Sequence, residues 1–304
     1  MTRRDFIAIA LLLAGIAFVA VQRFDAPSER RPDPRTYEDP GRTPGGFAPR
    51  RPAPPPGAAG LPPPSFADPG FTIEAEVKTG DVTGTAFSIG PGRWMSAKHV
   101  TESCRQVWIQ TGPRRGVRAE RVVEHPGADL SIIFTDGGAP ELPVSTGVLN
   151  LGQAGFYFGF PKGEAGAVSA DLIGRARMRT EGSRHSVEPV VGWAERRRIP
   201  HSEGSLGGLS GGPVLNGAGE VVGVAVASSI RRGRVFSAAP RSIGEMFERA
   251  GVAEPIGVPL PADPRTLTAS EFPRHGEDLR ELLTVAKVVC LAGGKTKRRR
   301  RQRL

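Results

Sequence analysis

The sequence predicts an all-β fold, and three observations carry that expectation. Forty glycines in 304 residues accompany only 6% aromatics, a balance that suits strands joined by tight turns better than a helical bundle. Between residues 71 and 240 the chain reads as short β-rich runs (FTIEAEV, GTAFSIG, RVVEH, LSIIF, GFYFGF, EVVGVAVAS, RVFSAA) separated by Gly, Pro, Asp and Asn clusters. Nothing in that stretch has the period of a long helix, so a barrel or sandwich is the expected architecture.

The segments before the β region have a different character. Residues 6–21 (FIAIALLLAGIAFVAV) are sixteen consecutive apolar positions behind Arg3 and Arg4. As a helix the run spans about 24 Å, slightly less than a bilayer core of about 30 Å. It lacks a good small-x-small cleavage site, so residues 1–25 read as a signal anchor, with a cleaved signal peptide and a secreted product as the alternative. Residues 26–70 form a Pro-rich tether, 14 of the 29 prolines lying between 26 and 69, and such a segment builds no ladder and buries little. The folded part is expected on the extracytoplasmic (periplasmic) side of an inner membrane.

After the β region, Ser242-Ile243-Gly244-Glu245 has the pattern of a capping box opening a short helix that Gly251 stops. Residues 251–304 are expected to hold a Pro-rich linker, an amphipathic helix over 277–291 and an Arg-rich tail. The helix is suggested by Leu279, Leu282, Leu283, Ala286, Val289 and Cys290 at helical spacing.

Charge narrows the functional classes. The formal charge of +10 comes mostly from seven basic side chains within residues 295–303. The body is nearly neutral, which disfavours a nucleic-acid groove across the fold and leaves the tail as a site for anionic lipid or an envelope polymer. Two cysteines exclude a disulfide-dense scaffold and a multi-cysteine zinc module. His125 and His185 have no partner at metal-ligand spacing, and no metal or cofactor is expected.

The string with most chemical content is Gly208-Leu209-Ser210-Gly211-Gly212-Pro213. A serine hydroxyl attacks poorly unless a base takes its proton and donors stabilise the resulting oxyanion. Glycines around Ser210 let the backbone fold so that the amides of Gly208 and Ser210 face one point. Upstream, Ser96-Ala97-Lys98-His99 puts an imidazole at a strand end, where it can accept and return a proton near neutral pH. Then His125-Pro126-Gly127-Ala128-Asp129-Leu130 places a carboxylate at the mouth of an apolar strand, suited to orienting one imidazole nitrogen. In chain order the three run His, Asp, Ser.

In these motifs the sequence resembles the chymotrypsin-like (trypsin-fold) serine proteases, and among them the HtrA/Deg-type and related bacterial trypsin-like peptidases. SAKH stands against the family's T-A-A-H, HPGADLSII against x-P-x-x-D-[IL]-A-[IVL]-[IVL], and GLSGGPV against G-N-S-G-G-P-[LV]; the likeness covers about residues 71–250. It implies two packed six-stranded antiparallel β-barrels, about 71–147 and 148–250, with His99 as general base, Asp129 as its orienting acid and Ser210 as nucleophile in the cleft. It also implies an oxyanion hole at the Gly208 and Ser210 amides, and a peptide or protein substrate. Phe158-Gly159-Phe160-Pro161-Lys162-Gly163 resembles the Gly-Pro segment early in the second barrel.

The departures from the family pattern are specific. Leu209 stands where zymogen-activated members have an Asp, Lys98 where a small residue precedes the histidine, and too few residues follow Ala250 for a PDZ domain. Cys104 lies near a disulfide position of secreted relatives, but Cys290 falls outside the matched region, so two free thiols are expected. A substrate pocket is expected at Gly204, Ser205, Ala225, Val226 and Ala227, with His201 in a nearby loop; no acid occurs there, which favours small or medium apolar side chains over Arg or Lys. The function expected is a membrane-tethered serine endopeptidase. The alternatives are a catalytically silent protease-fold binding protein and a tail-mediated binder of anionic lipid or nucleic acid.

Overall fold

The computed structural model describes residues 59–292 except 76–79, 146, 202–203, 230–231 and 254–266. The expected anchor, most of the tether and the Arg-rich tail lie outside the described residues. Among the described residues no helix is long and apolar enough to cross a membrane. In chain order the strands are β1 (Gly70–Ala75), β2 (Val82–Ser88), β3 (Arg93–Ser96), β4 (Cys104–Gly112), β5 (Arg115–Glu124), β6 (Ser131–Thr135) and β7 (Ala154–Gly159). They continue with β8 (Gly166–Gly182), β9 (Ser186–Ile199), β10 (Pro213–Leu215), β11 (Val221–Ser229), β12 (Arg234–Ala238) and β13 (Val285–Ala292). Three short helices, α1 (Lys98–Thr101), α2 (Pro240–Ala250) and α3 (Phe272–Glu281), complete the architecture.

Two β systems result. The first is a closed barrel in the order β13-β2-β3-β6-β5-β4, filled by Ala86, Trp94, Val107, Ile109, Ile133 and Val288. The turn from β2 to β3 is made at Gly92, whose φ of +67° suits glycine and whose added Cβ would lie 2.4 Å from the Thr135 carbonyl. The second is a seven-stranded sheet, β1-β8-β7-β10-β11-β12-β9, which the pairing of β8 with β9 turns back on itself. Trp193, Tyr157, Leu172 and Val214 fill part of its interior. β1 joins this sheet, parallel to β8, although it precedes the first barrel in sequence.

The second system is therefore not the six-stranded antiparallel barrel expected, since seven strands enter it and β1 pairs in parallel, and three further expectations are corrected. Residues 277–291 are not one amphipathic helix: α3 ends at Glu281, Leu283 takes a φ of +59°, and the chain re-enters as β13. A short apolar run rich in valine fits both periods, and here pairing decides. β13 fills the space between β2 and β4, with Val288 opposite both Gly84 and Ile109. The cysteines are not free either. β13 sets Ala292 opposite Cys104 and Cys290 opposite Val107, and Cys104 and Cys290 form a disulfide with Cα atoms 5.4 Å apart across 186 positions of sequence. Finally, α2 does not start at a Ser242 capping box. Pro240 is its first residue behind Ala239, with no side-chain cap, while Ser242 is buried in the first turn. Gly251 does stop the helix: its φ is 65°, and the Val252 N–H donates to the Phe247 carbonyl at 3.1 Å.

Because the disulfide closes so long a loop, paired Cys104→Ala and Cys290→Ala substitutions are expected to cost about 2–5 kcal/mol. Urea unfolding of that variant, and of the wild type with and without reductant, measures it; coincident midpoints would contradict a stabilising role.

Candidate active site

α1 follows β3 after one linking residue, Ala97, and so presents His99 at the open end of the first barrel. Asp129 arrives from the turn that leads into β6. That turn is held by His125, whose backbone N–H donates to the Leu130 carbonyl at 2.9 Å and whose Nδ1 accepts from the amides of Gly127 and Ala128 at 3.1 and 2.7 Å. His125 is therefore committed to the turn.

The two side chains meet at short range. His99 Nδ1 lies 2.6 Å from Asp129 Oδ2, and the His99 backbone N–H donates to Oδ1 at 2.8 Å. Burial pushes the Asp129 carboxyl upward, but His99 and then the Arg184 guanidinium outweigh it and bring its pKa down to about 2. An ionised Asp129 can only accept, so Nδ1 carries the proton and Nε2 is left with a free lone pair. Lys98 is directed elsewhere, its Nζ donating to the His125 carbonyl at 3.2 Å.

Two further residues complete this cluster, and both escape the motif reading. Arg184, in the hairpin between β8 and β9, donates through Nη1 to Asp129 Oδ1 and bridges to Glu102 Oε1, each at 3.1 Å. Glu188, on β9, accepts the Asp129 backbone N–H at 2.9 Å and is almost fully buried. Burial first, and the neighbouring Asp129 second, push the Glu188 carboxyl up to about 8. The available signal was alternation: Glu188 shares a strand face with buried Val190, an acid on the inward side.

Ser210 sits in a turn built on glycine. The Leu209 N–H donates to the Leu206 carbonyl at 2.9 Å, and Gly208 has a φ of +97°, which defines a type II turn over residues 206–209. A Cβ on Gly208 would stand 2.4 Å from the Phe160 carbonyl. The Gly207 carbonyl accepts from the Lys162 N–H at 2.5 Å. In a trans peptide the C=O and N–H point oppositely, so the Gly208 N–H faces away from Lys162.

β2 fixes this turn from the first barrel: the Thr85 N–H donates to the Ser210 carbonyl at 2.9 Å and Thr85 Oγ1 to the Gly208 carbonyl at 2.7 Å. Gly211 lies so close to Ala97 that an added Cβ would be 2.8 Å from its nitrogen. The Ser210 turn thus abuts the residue that starts the His99 helix. Among the described residues Ser210 Oγ makes no hydrogen bond to His99.

A pocket opens beside Ser210, lined by Tyr157, Ser205, Leu206, Ala225, Ala227 and Val235 among others, with no charged residue in its wall. Three of the expected pocket residues are there. Val226 is turned instead into the core, and Gly204 is occupied with Arg198, whose Nη1 donates to its carbonyl at 2.7 Å. His201 is exposed and is not among the lining residues. No group of three or more His, Cys, Asp or Glu that could hold a metal occurs among the described residues.

Residues 84–224 match the family described as Trypsin-like peptidase domain. The match gives residues 84–224 a trypsin-like peptidase domain and supports a serine peptidase. Its matched region holds His99, Asp129 and Ser210 together. Among curated proteins none matches the sequence. Similar solved structures include the active form of the Rv3671c protease from M. tuberculosis, at 19% identity and a TM-score of 0.48, covering 66% of this chain and 98% of that one. The MamO protease domain from Magnetospirillum magneticum shares 19% identity at a TM-score of 0.41, covering 54% of this chain and 94% of that one. The HtrA-type protease AlgW shares 19% at a TM-score of 0.43, covering 55% of this chain and 51% of that one.

The two buried carboxyls give the domain a pH signature with opposite signs. Asp129 falls from 3.8 to about 2 on folding, so its contribution is present above pH 3.8 and is lost as pH drops towards 2. Glu188 rises from 4.5 to about 8, so its contribution is full below pH 4.5 and is lost as pH rises through 8. Unfolding free energy from urea titrations is expected to decline between pH 4.5 and 8.5 in the wild type, and Glu188→Gln should flatten that decline. An equal slope in both proteins would contradict a neutral buried Glu188.

Proposed function

We propose that this chain is a serine endopeptidase that works through an acyl-enzyme, with Ser210 as nucleophile, His99 as general base and Asp129 as the orienting carboxylate. The observation that carries the reading is the 2.6 Å His99–Asp129 contact, which leaves Nε2 as a base on the helix that begins beside the Ser210 turn. Ser210 Oγ attacks the substrate carbonyl carbon and its proton passes to Nε2. The oxygen that becomes negative is received by the Gly208 and Ser210 amides. As the C–N bond breaks, His99 returns the proton to the departing amine. Water then attacks the ester, His99 takes a proton from it, and Ser210 leaves with that proton as the acid product forms. The missing hydrogen bond between Ser210 Oγ and Nε2 forms when substrate is bound, since catalytic contacts commonly tighten only then.

The uncharged pocket favours small or medium apolar side chains on the acyl side of the cleaved bond. An extracytoplasmic location is supported by the Cys104–Cys290 disulfide, because such bonds persist in oxidising compartments. It is supported as well by the apolar run 6–21, read as the membrane anchor, and the Pro-rich tether behind it. The basic residues of 295–303 then meet anionic lipid or envelope polymer.

An active-site fluorophosphonate is expected to label the wild type and neither Ser210→Ala nor, at a comparable rate, His99→Ala. Asp129→Asn should lower kcat by about 10⁴-fold by allowing the wrong imidazole tautomer. Cleavage should fall on acidification as His99 takes up a proton. A folded wild type that stays unlabelled across neutral pH, or a rate flat from pH 8 to 4, would leave a non-catalytic binding domain as the better account.

A further inference from the structure

The His99–Asp129 pair belongs to the first barrel, yet two of the groups that hold Asp129 come from the second sheet. Arg184 and Glu188 both belong to the β8–β9 hairpin, four residues apart in sequence. Arg184 takes one carboxylate oxygen and Glu188 takes the backbone N–H, so Asp129 is gripped on both its side chain and its main chain. Each gripping residue also leaves a buried polar atom without a partner, Nε on Arg184 and Oε1 on Glu188. An unsatisfied buried group costs about 1–3 kcal/mol, and a hairpin serving only its own stability has nothing to set against that. The visible return is the placement of Asp129.

We propose that Arg184 and Glu188 are positioning residues, which set the orientation and basicity of His99 by holding Asp129 from the opposite sheet. This rests on reading His99 and Asp129 as the catalytic pair. Arg184 adds a positive charge behind Asp129 and so opposes the imidazolium that forms when His99 takes the serine proton. Glu188 contributes an acceptor while neutral; ionised, it places a second negative charge beside Asp129 and favours imidazolium. The charged groups facing Glu188 are Asp129, Arg184 and Lys98, and Arg184 in turn faces Glu102. The tuning of the base is thereby tied to the seating of the β8–β9 hairpin against the first barrel.

The test uses full-length protein and follows the His99 imidazole by ¹H–¹⁵N NMR, assigned through His99→Gln, alongside kcat/KM for peptide cleavage against pH. Arg184→Gln is expected to raise the His99 midpoint and the acid limb of kcat/KM together, by about 0.5 to 1 unit. Glu188→Leu is expected to lose about 10²-fold in kcat/KM through displacement of Asp129, with Glu188→Gln recovering most of it because the amide oxygen still accepts the Asp129 N–H. If Glu188→Leu does not fold, Arg184→Gln carries the test through the His99 midpoint, with Glu188→Gln as the variant expected to match the wild type. A folded Arg184→Gln whose His99 titration and acid limb match the wild type, or a folded Glu188→Leu with unchanged kcat/KM, would overturn the proposal. A shifted His99 midpoint in a protein that cleaves nothing would instead sink the catalytic reading and leave the positioning role standing.

Discussion

The interaction on which the active region depends is the acceptance of two His99 hydrogen bonds by the carboxylate of Asp129, 2.6 Å from Nδ1 and 2.8 Å from the backbone nitrogen. A buried anion is tolerated only when several donors replace its water. Here His99 supplies two and Arg184 a third. The requirement organises a good deal around it: α1 must begin at Lys98 for the His99 amide to be free, and the His125 turn must present Asp129 at the barrel mouth. The β8–β9 hairpin must extend far enough to deliver Arg184. Each of these is a local structure whose reason lies at one carboxylate.

Glycine has a comparable role around Ser210. Gly208, Gly211 and Gly212 each bring backbone so close to another segment that a Cβ would stand 2.4 Å or less from a carbonyl oxygen: Phe160, Thr85 and Phe158 respectively. The turn is thus wedged between β2 of the first barrel and the β7 exit of the second sheet, and its shape is set by both. A serine presented in this way has little backbone freedom left, and that preorganisation supports the proposed oxyanion site.

Much of this was legible in the sequence. The β class, the position of the Ser210 turn and the Gly251 stop follow from turn chemistry and short-range pattern, which the chain states locally. His99 and Asp129 were legible as a pair only through the family resemblance of their motifs; the contact itself spans 30 positions. Apart from the local misreading of the Ser242 cap, the misses share a physical cause. β13, the Cys104–Cys290 bond, the placement of β1 and the grip of Arg184 and Glu188 on Asp129 are all decided by pairing between distant segments. Residues 285–292 become a strand because β2 and β4 leave a place for one, a choice that their valine content permits but local pattern alone does not make. Val226 shows the same limit on a smaller scale, since strand alternation puts it in the core while its neighbours Ala225 and Ala227 line the pocket.

The position of β13 also bears on how the chain reaches its fold. A barrel that begins at Val82 is not closed until residues 285–292 exist to pair with both β2 and β4. During synthesis the strands of the second sheet from β7 to β12 therefore emerge before the first barrel can seal, and Thr85 and the His99 helix wait in an open half-barrel. Contacts of such high sequence separation form slowly. Closure of the histidine-bearing barrel therefore rests on a strand that the chain supplies only after every strand of the serine-bearing sheet.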